Sequence, residues 1–316
     1  MDFRSLKSLI LKFFFIFNKN NLMSILELIK PGIVLGNLIS LFGGFFLASR
    51  SNLVVFLLIK VIFGIFLVIS ASCILNNIID RNIDKKMNRT KNRILCTNID
   101  YKIINILFVL AFFFISLGFF IFYQYINFIS MIIAMIGVFF YVFIYSLFLK
   151  KKSCYSTLIG SISGSVPPII GYVTINNKLN GCCLILFFIF IFWQIAHAYS
   201  IIIYRNKDYN MANIPTIVTV YSFRYTKICI SICIMNMFFC NLLLYYFCYV
   251  HFFYFFCTSF FIFLWFVFSI VGNMFFYSCK KWSRTMFFIS IFVIFLVSLM
   301  LSLNFLITTF FKSNYY

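Results

Sequence analysis

The sequence predicts an all-α polytopic membrane protein, a single domain over residues 1–316 built as a bundle of about nine transmembrane helices. Hydrophobic residues make up 64% of the chain and charged residues only 10%, whereas soluble domains are about 45–50% apolar and about 25% charged. Apolar stretches of about 20 residues, long enough to cross a bilayer, recur along the chain. Backbone groups in lipid must pair within their own segment, and the alternation of a membrane barrel is absent, so these stretches are predicted helices.

The predicted spans follow one another with mostly short connections. They are residues 31–49, 53–75, 103–123, 126–149, 154–175, 182–204, 228–250, 252–276 and 286–311. The fifth span differs from the others, because Gly160 and Gly164 have the spacing that allows close helix packing. The Pro167-Pro168 pair in the same span should kink or end that helix.

The basic residues predict the orientation in the membrane. Of the 26 lysines and arginines, 22 fall in the N-terminal segment and in the loops after spans 2, 4, 6 and 8. The other face has only Arg50, Lys178 and Lys312, and Lys60 lies within span 2. The positive-inside rule therefore predicts a cytoplasmic N-terminus, with residues 1–25 as a basic cytoplasmic segment. The net charge of +20 is explained by topology and anionic headgroups, and no nucleic-acid partner is expected.

Two polar stretches, residues 76–102 and 205–227, are predicted to form the active-site loops. They are the long loops on the basic side, and they hold four of the six acidic residues. Asn76, Asp80 and Asp84 follow an i, i+4, i+8 spacing. If the second span continues as a helix, these three side chains share one face.

The carboxylates of Asp80 and Asp84 are candidate magnesium ligands. Mg²⁺ takes hard oxygen ligands and is commonly held by one or two carboxylates together with substrate phosphates. The neighbouring lysines and arginines could clamp phosphate oxygens. Spacing alone also fits an ordinary helix end, whose acids would pair with basic side chains nearby.

The segment from Asn76 to Arg93 reads NxxxDxxxDxxMxRTxxR. It resembles the first aspartate-rich motif of the UbiA superfamily of intramembrane prenyltransferases. Three further stretches agree in the same order, and the resemblance runs from about Leu26 to Pro215. These stretches are Lys30–Ser40 with Gly43-Gly44, Tyr145–Tyr172, and Tyr204–Pro215. Within the superfamily the chain is most similar to the members that attach a farnesyl group to haem.

This resemblance implies transfer of a farnesyl group from farnesyl diphosphate to a vinyl group of haem B, completed by addition of water. Asp80 and Asp84 would hold Mg²⁺, with Asn76 assisting. The residues implied as diphosphate contacts are Arg89, Lys91, Arg93 and Lys150. The metal and these cations would stabilise the leaving diphosphate as the allylic C–O bond breaks.

The second polar stretch is implied to complete the site. Asp208 is a catalytic candidate, and the substrate-binding candidates beside it are Tyr204, Arg205 and Lys207. Many superfamily members carry a second DxxxD motif here. In this chain Asp208 stands alone, with Arg205 three residues before it, which is similar to the haem-modifying members.

His197 in the sixth span is a further substrate-binding candidate. A continuous helix would align His197, Tyr204 and Asp208, which are spaced i, i+7, i+11. The histidine could contact haem, as an iron ligand or near a propionate. An interior histidine with a hydrogen bond, for which Gln194 one turn away is a candidate partner, is the plainer interpretation. Tyr145 and Tyr204 could shield a carbocation by cation–π contact.

The expected partners are farnesyl diphosphate, haem B and the lipid bilayer, with haem-modifying or terminal-oxidase assembly proteins as further candidates. The expected location is the cell inner (plasma) membrane, and the mitochondrial inner membrane is the alternative. Two other functions stay open at this point. A prenyltransferase for a quinone precursor or another aromatic acceptor would be expected to have the second DxxxD motif. A secondary transporter would be expected to have charges near the bilayer midplane, but the acids here cluster at one interface.

Overall fold

The computed structural model describes residues 26–49, 54–96, 100–275 and 278–313, without the side chains of residues 273–275 and 305–313. Within this part of the chain, nine helices are long and apolar enough to cross a membrane, and no strand is present. The prediction of an all-α bundle of about nine spans is therefore confirmed. The predicted basic segment, residues 1–25, lies outside the described residues.

The helices are numbered in chain order. They are α1 (Pro31–Ser49), α2 (Val55–Asp84), α3 (Tyr101–Tyr125), α4 (Phe128–Val138), α5 (Ser156–Gly164), α6 (Val166–Asn176), α7 (Gly181–Tyr204), α8 (Asn206–Met211), α9 (Ile217–Val220), α10 (Phe223–Tyr246), α11 (Phe252–Phe275) and α12 (Cys279–Ser313). A π-helical segment, Phe139–Leu149, extends α4 and is called the π-segment below. A short 3₁₀ turn, Ile94–Cys96, follows α2.

Helix α2 continues nine residues beyond its predicted end at residue 75. It reaches Asp84, and the Lys85 amide still donates to the carbonyl of Arg81. The predicted loop 76–102 therefore begins as helix, and the irregular part starts at Lys85. Hydropathy identified where the apolar segment ends, whereas the helix itself runs on with Ile83 packed in a small apolar cluster. This continuation meets the condition under which Asn76, Asp80 and Asp84 share one face.

The fifth span is divided, as the proline pair predicts. Helix α5 ends at Gly164, the chain turns at Ser165, and α6 begins with Pro167 and Pro168 in its first turn. Proline is tolerated there because the first amides of a helix have no intrahelical acceptor. The break leaves α5 beside the π-segment and α7, while α6 packs against α1.

The contact between α1 and α6 depends on two glycines. A Cβ at Gly44 would lie 1.9 Å from the carbonyl oxygen of Pro168, and a Cβ at Gly171 would lie 2.2 Å from that of Leu41. These are backbone atoms, so no side-chain rotation can make room. Small residues at such crossings let helix backbones approach closely.

The substitution Gly44→Ala should therefore destabilise the bundle by about 1–3 kcal/mol, as overpacking of a rigid contact does. Gly36→Ala on the same helix is the matched control, since a Cβ at Gly36 meets nothing within 4 Å. Thermal unfolding of the detergent-solubilised variants measures the difference. Equal melting temperatures for the two variants would contradict this account of the α1–α6 contact.

The π-segment was not predicted, and it shapes one wall of the polar site. The amide of Lys150 donates to the carbonyl of Tyr145 at 2.9 Å, and the Ser146 hydroxyl donates to the carbonyl of Tyr141 at 2.8 Å. The first of these is a backbone bond over five residues, the spacing of a π-helix, which occurs frequently at functional sites. As a result Ser146 and Lys150 both contact the polar end of α2.

Candidate active site

The site is built on the last turns of α2, where Asn76, Asp80 and Asp84 are each at most 6% exposed. The Asn76 amide nitrogen donates to Asp80 Oδ2 at 2.8 Å and to the Ser146 hydroxyl at 2.9 Å. The hydrogen bond one turn along the helix places Asn76 and Asp80 side by side. Buried carboxylates and amides are costly unless they are paired, so their partners define the site.

Two lysines from other elements reach this row. The Lys150 ammonium, after the π-segment, donates to Asp80 Oδ2 and forms an ion pair with it. The Lys30 ammonium, just before α1, donates to Asn76 Oδ1. Asp80 Oδ1 is buried and has no hydrogen-bond partner among the described residues. The row therefore presents one unsatisfied carboxylate oxygen, and two cations bind its other polar atoms.

The two lysines differ in electrostatics. Burial by itself lowers the pKa of Lys150, but Tyr145 and the carboxylate of Asp80 outweigh burial and raise that pKa above its ordinary value. Lys30 lacks a direct carboxylate partner, and burial lowers its pKa to about 8. The charge on Lys150 is thus held firmly, while the charge on Lys30 is weakly compensated. An anion arriving at the site would supply the compensation that Lys30 lacks.

Lys30 was missed as a site residue. Its backbone has a φ of 55°, in the left-handed region that costs a non-glycine residue roughly 1–2 kcal/mol. Its carbonyl accepts from the amide of Ile33 at 2.8 Å, at the start of α1. Strained backbone of this kind clusters at functional sites. The sequence signals were a basic residue directly before the proline that begins the first span, and its place in the Lys30–Ser40 stretch that carries the resemblance.

Asp84 forms the second ion pair, with a 2.8 Å distance between its Oδ2 and an Arg93 guanidinium nitrogen. The Thr90 hydroxyl donates to the Asp84 carbonyl at 2.9 Å, which folds the loop back onto the helix end. A simple helix end would pair its acids with bases one turn away. Here the partners of Asp84 and Asp80 lie nine and 70 residues along the chain, so tertiary structure assembles the charges.

A cavity of about 870 Å³ adjoins this cluster. Its polar end is lined by Glu27, Lys30, Arg89 and Arg93, and its aromatic and aliphatic part by residues of α2, the α4 region, α7 and α12. Lys30 and Arg93 therefore contact the α2 row on one side and the cavity on the other. The remaining predicted site residue in the lining is His197.

The second polar stretch packs against the first without entering the cavity. Ile83 and Met87 form a small apolar cluster with Ala212 and Ile214, and Tyr209 of α8 packs on it. Helix α7 ends at Tyr204 and the chain turns at Arg205 before α8, so the continuous helix that would align His197 with Asp208 is not formed. The expected alignment of His197, Tyr204 and Asp208 along one helix was therefore wrong, because the backbone at Arg205 leaves helical geometry.

The predicted residues of this stretch take different positions. Cationic groups lie over the Tyr204 ring. The Arg205 guanidinium is 4.4 Å from the ring centroid, and the Arg284 guanidinium and the Lys280 ammonium are each 5.8 Å from it. Asp208 is half-buried in the first turn of α8, and Lys207 is exposed, as is Lys91 in the first loop. Roles for these residues stay predictions.

Tyr145 lies at the edge of the cluster. Its ring stacks on the Tyr141 ring, with 6.1 Å between the ring centroids, and the Lys150 ammonium lies 5.8 Å from the Tyr145 ring centroid. Gly160 gives it room, because a Cβ there would lie 2.9 Å from the Tyr145 ring. The predicted Gly160 position is thus explained by an aromatic side chain of the site.

The donor set can be compared with the needs of a metal ion. No group of three or more His, Cys, Asp or Glu side chains that could hold a metal is found among the described residues. Mg²⁺ does not need such a group, because it is commonly bound by one or two carboxylates plus substrate phosphates. Asp80, with its unpartnered Oδ1, and Asp84 one turn further supply oxygen ligands of that kind. The residues present fit magnesium held jointly with a phosphate-bearing substrate.

Comparison with known proteins identifies the family. The sequence model of the UbiA prenyltransferase family matches residues 37–292. The chain therefore belongs to the UbiA prenyltransferase family and is a multi-pass membrane prenyltransferase. It is 58% identical over 277 residues to a protein of Buchnera aphidicola subsp. Cinara cedri (strain Cc) named protoheme IX farnesyltransferase, with 88% of this chain and 99% of that protein covered. A protein of the same name from Blochmanniella floridana is 41% identical over 280 residues, covering 88% and 96%.

Solved structures share the fold at low sequence identity. One, described as a study of digeranylgeranylglyceryl phosphate synthase in membranes, has a TM-score of 0.70 at 16% identity and covers 90% of this chain and 98% of its own. A UbiA homologue from Archaeoglobus fulgidus, described as bound to GPP and Mg²⁺, has a TM-score of 0.60 at 13% identity, covering 88% and 99%. These likenesses support the helix arrangement described above.

Proposed function

We propose that this protein transfers the farnesyl group of farnesyl diphosphate to a vinyl group of haem B, with addition of water, giving haem O and diphosphate. The observation that carries the proposal is the 58% identity to a protein named protoheme IX farnesyltransferase over 99% of that protein's length. The polar cluster beside a large, mainly apolar cavity is suited to a substrate with a charged head and a long hydrocarbon tail.

The cations of the cluster would bind the diphosphate. Lys30, Lys150 and Arg93 bring three positive charges against the two carboxylates of Asp80 and Asp84, which leaves one net positive charge. At the polar end of the cavity, Arg89 adds a positive charge and the exposed Glu27 adds a negative one, so the net charge stays at about one positive. A diphosphate brings more negative charge than these residues offset. The cluster is therefore incomplete electrostatically without a further cation.

Asp80 and Asp84 would hold that cation as Mg²⁺, with Asn76 orienting Asp80 through its amide. Bound magnesium acts as a Lewis acid that stabilises charge developing on the leaving diphosphate. The Mg²⁺ bound to the Archaeoglobus fulgidus homologue supports its use in this fold. Lys150 donates to Oδ2 of Asp80 and would also contact a phosphate oxygen.

The cavity would protect the reacting groups from water. Lys30 and Arg93 hold the charged head at the polar end, while the hydrocarbon chain lies among aliphatic and aromatic side chains. Excluding water strengthens the electrostatic interactions and prevents water from quenching the farnesyl carbocation too early. Tyr145, with its face toward Lys150, is placed to stabilise positive charge near the diphosphate.

An acceptor comparison tests the substrate proposed here. Purified protein with farnesyl diphosphate and Mg²⁺ is offered either haem B or an aromatic acid acceptor, and the prenylated products are quantified. Haem B alone should be farnesylated. Prenylation of the aromatic acid in preference to haem B would contradict the proposed acceptor.

The proposed location is the bacterial inner membrane, with the N-terminus and the polar cluster on the cytoplasmic side. The relatives named above are bacterial, and the loops that carry the cluster belong to the strongly basic face. Haem-modifying or terminal-oxidase assembly partners remain expectations from the sequence.

Cysteine labelling tests the orientation. Asn88→Cys and Lys178→Cys are introduced separately into a background in which the exposed Cys248 and Cys279 are replaced by serine. A membrane-impermeant thiol reagent should reach position 88 only from the cytoplasmic side and position 178 only from the other. The reverse pattern would overturn the orientation.

A further inference from the structure

One end of the cavity contains a histidine held in a fixed orientation. Trp193 and His197 of α7 and Phe287 of α12 all line the cavity. The His197 ring lies 5.0 Å from the Trp193 ring at 22° and 5.0 Å from the Phe287 ring at 34°. Its Nδ1 is 2.7 Å from the Ser290 hydroxyl of α12. Gln194, the partner suggested by spacing, does not supply this bond.

The hydrogen bonds assign the tautomer. The Ser290 hydroxyl donates its only hydrogen to the carbonyl of Phe287 at 2.6 Å. Toward His197 it can therefore act only as an acceptor, so Nδ1 carries the proton. Nε2 of the neutral imidazole then presents a lone pair. Among the described residues Nε2 has no hydrogen-bond partner. It is not fully enclosed by protein atoms, so it is open to the cavity.

We propose that His197 Nε2 is the axial ligand of the haem iron when the acceptor occupies the cavity. The inference rests on the proposed function, since it assigns how that acceptor is held. Histidine is the usual protein ligand of haem iron, and a metal-binding imidazole typically donates its other ring N–H to an oxygen acceptor that sets its orientation. Ser290 is that acceptor.

The neighbouring contacts distinguish a ligand from an interior histidine. The Trp193 indole N–H donates to the carbonyl of Ser290 at 2.8 Å, so this neighbour is fully satisfied. Buried polar side chains usually have their partners, whereas His197 keeps one strong acceptor unused. An apolar residue would fill that position at lower cost unless a ligand used the lone pair.

The position also suits the reaction. His197 lies seven residues before the end of α7, roughly 10 Å along the helix axis from its last residue. It lines the same cavity as Lys30 and Arg93, which contact the diphosphate cluster. Gly32 and Gly36 of α1 line this cavity too, and a Cβ at either would meet nothing within 4 Å. Iron held at His197 would therefore place haem in the same cavity as the cations proposed to hold the diphosphate.

The test is spectroscopic. Ferric haem B is titrated into detergent-solubilised wild type, His197→Ala and His251→Ala in imidazole-free buffer, and absorption and electron paramagnetic resonance spectra are recorded. His251, the other histidine of the chain, directly precedes α11 and serves as the matched control. The wild type and His251→Ala should show one nitrogen-ligated species. His197→Ala should lose that signature and bind haem about tenfold or more weakly, and added imidazole should restore the spectrum.

Metal-free protoporphyrin IX separates coordination from shape. Its affinity, measured by fluorescence, should be the same for the wild type and His197→Ala, because no iron is present to be ligated. An equal loss of porphyrin and haem affinity would mean that His197 shapes the cavity and would overturn the proposal. The wild-type spectrum is informative even if His197→Ala does not fold. Absence of an axial nitrogen in the wild-type complex would also overturn it.

Different results would overturn the assignment of His197 as the iron ligand and the proposed farnesyl transfer to haem. Wild type that binds and farnesylates haem, while His197→Ala gives the same haem spectrum, would remove the ligand assignment and leave the proposed function standing. Wild type that neither binds nor farnesylates haem, while it still binds farnesyl diphosphate, would remove the proposed function and the ligand assignment with it.

Discussion

Replacing Asp80 by asparagine should lower kcat by about 10²–10³-fold, the cost typical of losing one preorganised group that stabilises transition-state charge. Asp80 is 2% exposed and is bonded to Asn76 and Lys150, and its Oδ1 has no hydrogen-bond partner among the described residues. Asparagine keeps the shape and one oxygen but removes the charge. Steady-state turnover of farnesyl diphosphate and haem B measures the effect.

The control for this prediction must separate chemistry from folding. Asp80→Asn leaves the half-buried Lys150 ammonium without its carboxylate, and breaking such a pair can cost about 3–5 kcal/mol. Adding Lys150→Met should restore thermal stability but not turnover. Asp100→Asn removes an acid that caps α3 through the amide of Lys102, and it should leave turnover unchanged. Turnover of Asp80→Asn within a few-fold of wild type would show that the metal assignment is wrong.

Removing Mg²⁺ with a chelator should lower turnover by about 10²-fold or more, in line with several kcal/mol of lost charge stabilisation. The reason lies in the charge balance of the cluster. Lys150 and Arg93 are already paired with Asp80 and Asp84, so without Mg²⁺ their charges are offset and little net positive charge would face the diphosphate. Adding excess Mg²⁺ back should restore turnover.

The magnesium dependence of a variant sharpens this prediction. Asp84→Asn should raise the Mg²⁺ concentration needed for half-maximal turnover, because one oxygen ligand loses its charge. Lys86→Gln is a useful comparison, since Lys86 is exposed and does not line the cavity. Its Mg²⁺ dependence should match that of the wild type. Full activity in the presence of chelator would exclude a magnesium-assisted departure of diphosphate.

The spans and the α2 row could be predicted from the sequence because both follow simple periodicities. Twenty apolar residues mark a membrane crossing, and residues four apart share a helix face, so Asn76, Asp80 and Asp84 needed only the continuation of α2. The proline pair marked the break of the fifth span for a similarly local reason. Each of these features depends on neighbours within a few positions along the chain.

The rest of the site depends on tertiary contacts. Lys30 and Lys150 reach the row from 46 and 70 residues away, and nothing in their local sequence states which acceptor they meet. The π-segment that positions Ser146 and Lys150 has the same apolar composition as an α-helix. The turn at Arg205 interrupts a pattern that would have continued α7 and thereby separates Asp208 from His197. The Ser290 contact of His197 joins α7 to α12, the last helix, whose pairing with α7 no sequence pattern reported.

The most direct test of the account is the mass of the product. Purified protein is incubated with haem B, farnesyl diphosphate and Mg²⁺, and the extracted haem is analysed by mass spectrometry. The extracted product should be a haem heavier by one farnesyl group plus one water, and it should form only when all three components are present. Unchanged haem B, from protein shown to be folded and to bind both substrates, would contradict it.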